Sequence, residues 1–298
     1  SAFAQALDYA VSQRCDVVSM SMGGLPSRAW REAVDKAYLS GLCLVAAAGN
    51  NVNGLPTRHI VYPAHYSRVL AVCGAMADSR PYSGLEGMVL EGNYGPRSRM
   101  AAALSAHTPN IPWACYGCPS TVRLDGEGTS AATPQVAAAA ALWFEKHKQD
   151  LPRDWRRVEA VRHALFKSAK VAGIDKDRIG QGILQAFDAL AVKPVLGLEQ
   201  SKSDSDSFAF LRVITGLGVI AAPPRERMFN LEIAQRWMLN PELQTIVPDP
   251  DAAGRIDDKA MVQFMEAVIE DPDTSQALRR HLIARYPVVA GKPLPPTE

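Results

Sequence analysis

Apolar residues recur in two alternating patterns along the first part of the chain. Helical spacing links Phe3, Leu7 and Val11, and again residues 30–38, which precede a helix-stopping Gly41. Between these segments lie continuous apolar runs at residues 15–22, 42–48 and 69–75. A strand that is buried on both faces has such a run, whereas a half-buried strand alternates. The pattern therefore predicts an α/β fold, in which right-handed crossovers cover a parallel sheet with helices on both faces.

The central part of the chain predicts less regular structure, followed by helices. Scattered glycine and proline residues indicate loops and short strands over residues 78–128. An alanine-rich helix is predicted over residues 130–148, with Pro134 tolerated in its first turn, and another over residues 158–169. Ser27 has the position of an N-cap for the second helix of the chain.

A short polar segment divides the chain into two predicted domains. Residues 201–207 are all Ser, Lys or Asp and have no periodicity, which is typical of a linker. They separate a domain over residues 1–200 from a helical region over residues 208–298. The predicted helix caps of that region are Asn230, Asp257 and either Asp273 or Thr274.

Composition and charge exclude several classes of protein. Apolar residues make up 47% and charged residues 21% of the 298 residues, which is typical of a globular protein. A formal net charge of +1 excludes a strongly basic surface for nucleic acid. No apolar run approaches the length of a membrane span, and residues 1–8 lack the pattern of a secretory signal. We therefore expect neither nucleic acid nor a membrane as partner, and the cellular location stays open.

The five cysteines do not indicate a redox or metal site. Cys115 and Cys118 have CxxC spacing, but a zinc site would need a second ligand pair and a redox motif would need a thioredoxin-like context. The others, Cys15, Cys43 and Cys73, lie in or beside apolar runs, as small buried hydrophobes do. We interpret these cysteines as structural.

A serine at the start of the alanine-rich helix is the first candidate for chemistry. Ser130 lies in the segment Gly-Thr-Ser-Ala-Ala-Thr-Pro at residues 128–134. The free N–H groups and the positive dipole end of a helix can stabilise an anion that forms beside such a serine. The alternative is that Ser130 is only an N-cap, since serine is common there.

Two further segments could contribute to the same chemistry. Asn50 follows a predicted strand of small residues, and ligands of open α/β sheets bind beyond the carboxyl ends of strands. Its amide N–H₂ could donate to a developing oxyanion, although Gly-Asn-Asn is also good turn chemistry. Gly23 and Gly24 follow another predicted strand and would let an extended peptide pair with its backbone, unless they form only a glycine loop.

These three segments, in this order, resemble those of the subtilisin-like serine peptidases, the subtilases. Residues 128–134 resemble the nucleophile motif of that family, residues 47–50 its oxyanion-hole motif and residues 21–24 its substrate-pairing strand. The resemblance covers about residues 1–195, with further matches at residues 62–64, 69–74, 161–169 and 180–189. It implies a three-layer subtilisin-like domain with a parallel sheet, followed by an unrecognised, mostly α-helical region.

The resemblance implies a role for each matching residue. Ser130 would attack the scissile carbonyl and form an acyl-enzyme, and Asn50 would donate to the oxyanion together with the backbone N–H of Ser130. A peptide or protein substrate would bind by main-chain hydrogen bonds in a groove lined by Ser21, Met22, Gly23 and Gly24. The pocket for the residue before the cut would be lined by Ala47, Ala48 and Gly49. No cofactor is implied; calcium is common in the family, but no dense carboxylate loop predicts a metal site.

Two features of the chain depart from the family. Ala131 stands where methionine is common and Gln135 where histidine is common, although neither position is that of the base. The family's triad runs in the order Asp, His, Ser, and no histidine precedes the predicted substrate-pairing strand. The six histidines lie elsewhere, at positions 59, 65, 107, 147, 163 and 281. The resemblance therefore implies that the catalytic Asp and His segments are missing and that the domain is N-terminally incomplete.

This departure decides which function we expect. A serine without a base is a weak nucleophile, so we expect a serine endopeptidase whose present chain is inactive alone and is completed by its own missing N-terminal segment. The alternative is a non-catalytic relative that binds peptides or regulates a partner, and the helical region would then either stabilise the domain or dock a partner. A nucleotide site at residues 49–54 is disfavoured, because the segment lacks the Lys-Ser/Thr of a P-loop.

Overall fold

The computed structural model describes residues 1–52, 58–84, 90–117, 121–171, 173–204, 224–248 and 258–285. The chain divides into two compact units, Ser1–Asp204 and Ser205–Glu298. Some predictions fall on residues that lie outside the described ones. These residues are Cys118, Gly54, Asp257 and the last three residues of the predicted linker.

A four-stranded parallel sheet forms the centre of the first unit. The strands of this unit, in chain order, are β1 (Val17–Met20), β2 (Cys43–Ala47), β3 (Asn50–Val52), β4 (Leu70–Ala75), β5 (Leu90–Gly92), β6 (Ala103–His107), β7 (Ile111–Ala114) and β8 (Val122–Gly126). The parallel sheet has the order β1-β2-β4-β6. Every residue of β2 and β4 is buried, as their continuous apolar runs predict. The predicted parallel α/β architecture is therefore confirmed.

The sequence analysis did not identify β6 as a member of this sheet. Its small and polar residues, Ala-Leu-Ser-Ala-His, do not form a recognisable apolar run. Its first four residues are nevertheless buried, and the one polar side chain among them is satisfied, because the Ser105 hydroxyl donates a hydrogen bond to the carbonyl of Ile179 at 3.0 Å. Two short antiparallel pairs, β3 with β5 and β7 with β8, account for the other strands.

Besides a 3₁₀ helix at Lys148–Asp150, seven α-helices belong to the described part of the first unit. They are α1 (Ala2–Ser12), α2 (Arg28–Leu39), α3 (Arg97–Met100), α4 (Gly128–His147), α5 (Trp155–Ser168), α6 (Lys176–Ile179) and α7 (Ala186–Ala191). The predicted cap of α2 is confirmed, because the Ser27 hydroxyl accepts a hydrogen bond from the N–H of Trp30 at 3.1 Å. No helix of the described residues is both long and apolar enough to cross a membrane.

Helix α4 determines how closely the layers of this unit approach each other. It contacts all four strands of the parallel sheet, and its residues Ala132, Val136 and Ala140 are completely buried. Alanine side chains let the helix lie close to the sheet with little side-chain volume between them. Further along the helix, Trp143 is buried and its indole N–H donates to the carbonyl of Val192 at 2.9 Å.

Residues 201–204, which the sequence analysis placed in a linker, are held by the first unit. The Asp204 carboxylate accepts hydrogen bonds from the backbone N–H of Ser67 at 2.8 Å and from the Arg99 guanidinium at 2.7 Å. The Arg68 guanidinium donates to the carbonyl of Ser201 at 3.0 Å and pairs with Asp35 at 2.8 Å. A polar composition indicated a linker here, but these hydrogen bonds to largely buried arginines fix the segment instead.

The described part of the second unit is helical, as predicted. Its helices are α8 (Pro224–Leu239), α9 (Pro241–Ile246), α10 (Asp258–Glu270) and α11 (Gln276–Arg285). The predicted cap Asn230 is wrong, because α8 begins six residues earlier. The cap of α11 is neither Asp273 nor Thr274; Ser275 accepts the hydrogen bond from Leu278 N–H at 3.2 Å. The core of this unit contains Trp237, Phe264, Leu278 and Leu282.

Trp143→Ala tests the packing of α4. Because Trp143 is completely buried, we expect the free energy of unfolding of the first unit to fall by about 3–5 kcal/mol. Leu142→Ala, at an adjacent side chain that is 57% exposed, is the matched control and should change it by less than about 0.5 kcal/mol. Urea unfolding followed by circular dichroism measures both values, and equal effects would contradict the core position of Trp143.

Candidate active site

The three segments singled out in the sequence meet at one edge of the parallel sheet. Ser21 follows β1, Asn50 follows β2, and the first turn of α4 carries Ser130. The carboxyl ends of parallel strands share one edge, which is where open α/β sheets bind ligands. Direct hydrogen bonds connect the α4 segment to both of the others.

The first turn of α4 is capped by a residue from another segment. Glu127 occupies the N-cap position with an extended backbone, but its side chain makes no capping hydrogen bond. Instead, the side-chain oxygen of Asn50 accepts hydrogen bonds from the backbone N–H of Thr129 at 2.8 Å and from its hydroxyl at 3.2 Å. Asn50 therefore satisfies one of the free N–H groups of the helix and is itself fixed in orientation.

Close packing around Asn50 requires glycine at the first position of the helix. Gly128 has a φ of +76°, and a Cβ atom there would lie 2.9 Å from Asn50 Nδ2. The buried Thr129 hydroxyl lies 3.1 Å from both the N–H and the carbonyl of Gly49, so the helix start is also attached to the backbone before Asn50. With its oxygen engaged by Thr129, Asn50 retains the two N–H groups of its amide as donors.

Ser130 is the third residue of α4 and is exposed. The simpler interpretation of Ser130 as an N-cap is therefore wrong. Neither its hydroxyl nor its backbone N–H has a hydrogen-bond partner among the described residues, while its carbonyl accepts a hydrogen bond from the Ser21 hydroxyl at 2.9 Å. The Ser130 hydroxyl and N–H are thus open to a ligand, at a helix N-terminus that favours negative charge.

The segment after β1 presents part of its backbone to solvent. Ser21, Met22 and Gly23 are exposed, and neither Met22 nor Gly23 makes a backbone hydrogen bond within the described residues. The N–H of Gly24 is already used, because it donates to the carbonyl of Tyr62 at 2.9 Å. A Cβ atom on Gly23 would lie 2.7 Å from Val61 Cγ2, so glycine is needed there for the approach of this neighbouring loop.

The predicted wall of the pocket is mostly buried. Ala47 and Ala48 are 3% and 0% exposed, and the backbone of Ala48 bonds to Val72 on one side and to Val61 on the other. Gly49 and Asn50 are partly exposed. The surface that this segment offers to a ligand is therefore formed by Gly49 and Asn50.

An apolar pocket beside this segment was not predicted from the sequence. It has a volume of about 540 Å³ and is lined by residues of α1, β1 and α2, including Phe3, Met20 and Trp30, and by Met22. The rings of Phe3 and Trp30 are stacked with their centroids 4.2 Å apart. The sequence analysis assigned Phe3 and Trp30 only to the apolar faces of their helices. An apolar helix face does not by itself distinguish a buried residue from one that lines a pocket.

None of the six histidines donates to or accepts from the Ser130 hydroxyl in the described structure. His59 and His65 are buried with their rings stacked 4.4 Å apart, and burial holds the pKa of His59 well below its usual value. His107, at the end of β6, contacts α4 through its backbone carbonyl, which accepts a hydrogen bond from the Gln135 amide at 2.8 Å. Gln135, one of the two departures in the nucleophile motif, therefore ties α4 to β6. The other histidines lie on α4, α5 and α11.

No group of three or more His, Cys, Asp or Glu side chains that could hold a metal ion occurs within the described ranges. What the site offers to a ligand is the exposed hydroxyl and the unpaired backbone N–H of Ser130, with the Asn50 amide packed against the same helix start.

Curated relatives of this chain are bacterial subtilisins. Subtilisin DY of Bacillus licheniformis is 37% identical over 186 residues, which are 62% of this chain and 60% of that protein. Subtilisin of Bacillus pumilus is 38% identical over 47% of this chain and 46% of its own length. The chain thus spans roughly half the length of these relatives.

The fold and the sequence identify the same family. A solved structure of the PatG macrocyclase in complex with peptide is 25% identical, covers 63% of this chain and 54% of its own, and superposes with a TM-score of 0.51. The model of the subtilase family matches residues 1–187, well over half of the chain. This protein belongs to the subtilase family.

Proposed function

We propose that this chain is the part of a serine endopeptidase that carries the nucleophile, the oxyanion donors and the substrate-pairing segment. One observation carries the proposal: Asn50 accepts the Thr129 N–H while Ser21 donates to the Ser130 carbonyl, so that three separate segments fix one exposed hydroxyl. A capping role alone would require only one of these hydrogen bonds.

The reaction follows from the groups around Ser130. Its Oγ loses its proton to a base and attacks the scissile carbonyl, whose oxygen becomes an oxyanion. Collapse of the tetrahedral intermediate breaks the C–N bond, the leaving amine takes the proton from the base, and an ester remains on Ser130 until water hydrolyses it. The Ser130 N–H and the Asn50 amide are donors to that oxyanion. Both are held before the substrate arrives, so that little reorganisation is needed as the charge develops.

The substrate is proposed to be an extended polypeptide. The unpaired backbone of Met22 and Gly23 offers main-chain hydrogen bonds to a peptide that lies beside it. The apolar pocket that contains Met22 and Trp30 accepts a large apolar side chain before the cut. The residue next to the cut meets Gly49, an uncharged surface that favours a neutral side chain.

Hydrolysis also needs a base that takes the Ser130 proton. Since no histidine contacts this hydroxyl in the described residues, we propose that a further polypeptide segment, bearing an Asp and a His, supplies the base. The 298 residues alone are then expected to bind peptides without hydrolysing them. The alternative function is a non-catalytic peptide-binding subtilase, which the missing base and the residues Ala131 and Gln135 favour.

Labelling with a fluorophosphonate probe tests the nucleophile. In the native protein, in the assembly in which it occurs, we expect the probe to form a covalent bond with Ser130, as mass spectrometry of the labelled peptide can show. Ser130→Ala should abolish labelling, and the 298 residues alone should label far more slowly because no base is present.

The controls separate the two functions. Ser12→Ala removes an exposed hydroxyl at the end of α1, outside the site, and should retain labelling, which excludes nonspecific reaction of exposed serines. Fast labelling of Ser130 in the 298 residues alone would contradict the need for a further segment. Absence of labelling in the native assembly, with peptide binding retained, would establish the non-catalytic alternative.

Substitutions of Asn50 test the oxyanion role separately from the capping role. Asn50→Asp keeps an oxygen for the Thr129 N–H but removes the amide donor, so we expect turnover in the native assembly to fall by at least about 10²-fold at nearly unchanged stability. This is the order of the loss known for such an asparagine in a subtilase. Asn50→Ala should lower turnover and also destabilise the protein by about 1 kcal/mol, because the cap is lost.

Asn51→Ala is the matched control, since Asn51 is the next residue of the same strand. It should leave turnover within about twofold of the unsubstituted protein. Equal losses for Asn50→Asp and Asn51→Ala would show that Asn50 does not act as a donor. Melting temperatures of all variants check that each of them is folded.

A further inference from the structure

A third stretch of chain lies between the two segments that would hold a peptide. Strands β1 and β2 are hydrogen-bonded neighbours, and one of the two segments follows each of them. Beyond the ends of these strands, residues 61 and 62 connect the segments by backbone hydrogen bonds. The Val61 N–H donates to the carbonyl of Ala48 at 2.9 Å, and the Gly24 N–H donates to the carbonyl of Tyr62 at the same distance. The side chain of residue 61 therefore decides how much space remains between the two segments.

The Val61 side chain fills the slot between Gly23 and Gly49. A Cβ atom on Gly23 would lie 2.7 Å from Val61 Cγ2, and one on Gly49 would lie 2.9 Å from Cγ1 and 3.0 Å from Cγ2. Carbon atoms in ordinary contact are about 3.5–4.0 Å apart, so only glycine at both positions leaves room for the two methyl groups. Val61 is partly exposed and thus forms part of the surface of the slot.

The valine is held firmly at this position. Its carbonyl accepts the N–H of His65 at 3.0 Å, in addition to the hydrogen bond from its own N–H to Ala48. Its β-branched side chain has restricted rotation about χ1. Beside it, the amide nitrogen of Asn93, which is 4% exposed, would lie 2.8 Å from a Cβ atom on Gly49. The methyl groups of Val61 therefore have little space into which they could move when a ligand enters.

The proposed function, on which this inference rests, places a peptide side chain against Val61. The scissile carbonyl would meet the Ser130 hydroxyl and the Asn50 amide, while the preceding backbone lies beside Met22 and Gly23. The side chain of the residue before the cut then extends between the segment after β1 and the segment after β2. That space is the slot in which the Val61 methyl groups lie.

We propose that Val61 is a specificity-determining residue that limits the residue before the cut to glycine, alanine or serine. Its methyl groups occupy the volume that a larger side chain would need, and a closely packed surrounding resists displacement. The apolar pocket that contains Phe3 and Trp30 is a different cavity, whose lining does not include Val61. A large apolar side chain is therefore accepted only at another residue of the substrate.

Peptides that differ only in alanine or phenylalanine before the cut test the proposal. In the native assembly, we expect kcat/KM to be at least about tenfold higher for the alanine peptide, the order by which a pocket rejects a side chain that does not fit. Val61→Ala removes both methyl groups and should raise kcat/KM of the phenylalanine peptide at least about tenfold, with less than about a threefold change for the alanine peptide. Val61→Thr keeps the branched shape and should retain the original preference.

Val171→Ala is the matched control, because Val171 is a 53% exposed valine that follows α5 and lies outside the site. It should leave the preference unchanged. Melting temperatures show whether each variant is folded. Fluorescence anisotropy of the same peptides with the 298 residues measures the preference independently of turnover, and the comparison in the unsubstituted protein needs no variant at all.

The outcomes separate this inference from the proposed function. Alanine and phenylalanine peptides that are cleaved or bound equally well by the unsubstituted protein would overturn the role of Val61 and leave the proposed function intact. A preference for alanine that persists in folded Val61→Ala would do the same. Absence of both binding and cleavage for every peptide would overturn the two together.

Discussion

The candidate site depends on one hydrogen bond, from the backbone N–H of Thr129 to the side-chain oxygen of Asn50. It caps α4 with a residue that follows β2, so the orientation of the helix start and that of the amide are fixed together. The same contact uses the acceptor of the amide and leaves its donors available. Stability and the proposed chemistry thus share one side chain, which explains why an asparagine is suited to this position and an isosteric aspartate is not.

The close approach of α4 to the sheet supports this arrangement. Its alanines let the helix pack closely against all four strands, and the first turn is thereby brought to the carboxyl edge, where Ser21 follows β1 and Asn50 follows β2. Gln135 and Ser21 then attach the helix to β6 and β1 on either side of the sheet. The exposed hydroxyl of Ser130 therefore belongs to a packed helix rather than to a loop.

The sequence predicted most of this fold, because β2 and β4 are continuous apolar runs and α4 is rich in alanine. It missed β6, because the strand has no recognisable apolar run and its buried Ser105 finds its hydrogen-bond acceptor in Ile179, far away in the chain. The sequence motifs identified Ser130 and Asn50 as candidate site residues. They could not show that the side chain of Asn50, rather than that of Glu127, caps helix α4. Nor could it show the apolar pocket, because Phe3 and Trp30 are far apart in the chain and meet only after folding.

The anchoring of residues 201–204 has a consequence for where the first unit can be shortened. Asp204 provides the carboxylate for Arg99, a largely buried cation that also contacts the Ser67 hydroxyl. A chain that ended at residue 200 would retain the guanidinium groups of Arg99 and Arg68 but lose Asp204 and the carbonyl of Ser201. A buried cation without its counter-charge destabilises a fold. A shortened form of the first unit should therefore keep Asp204.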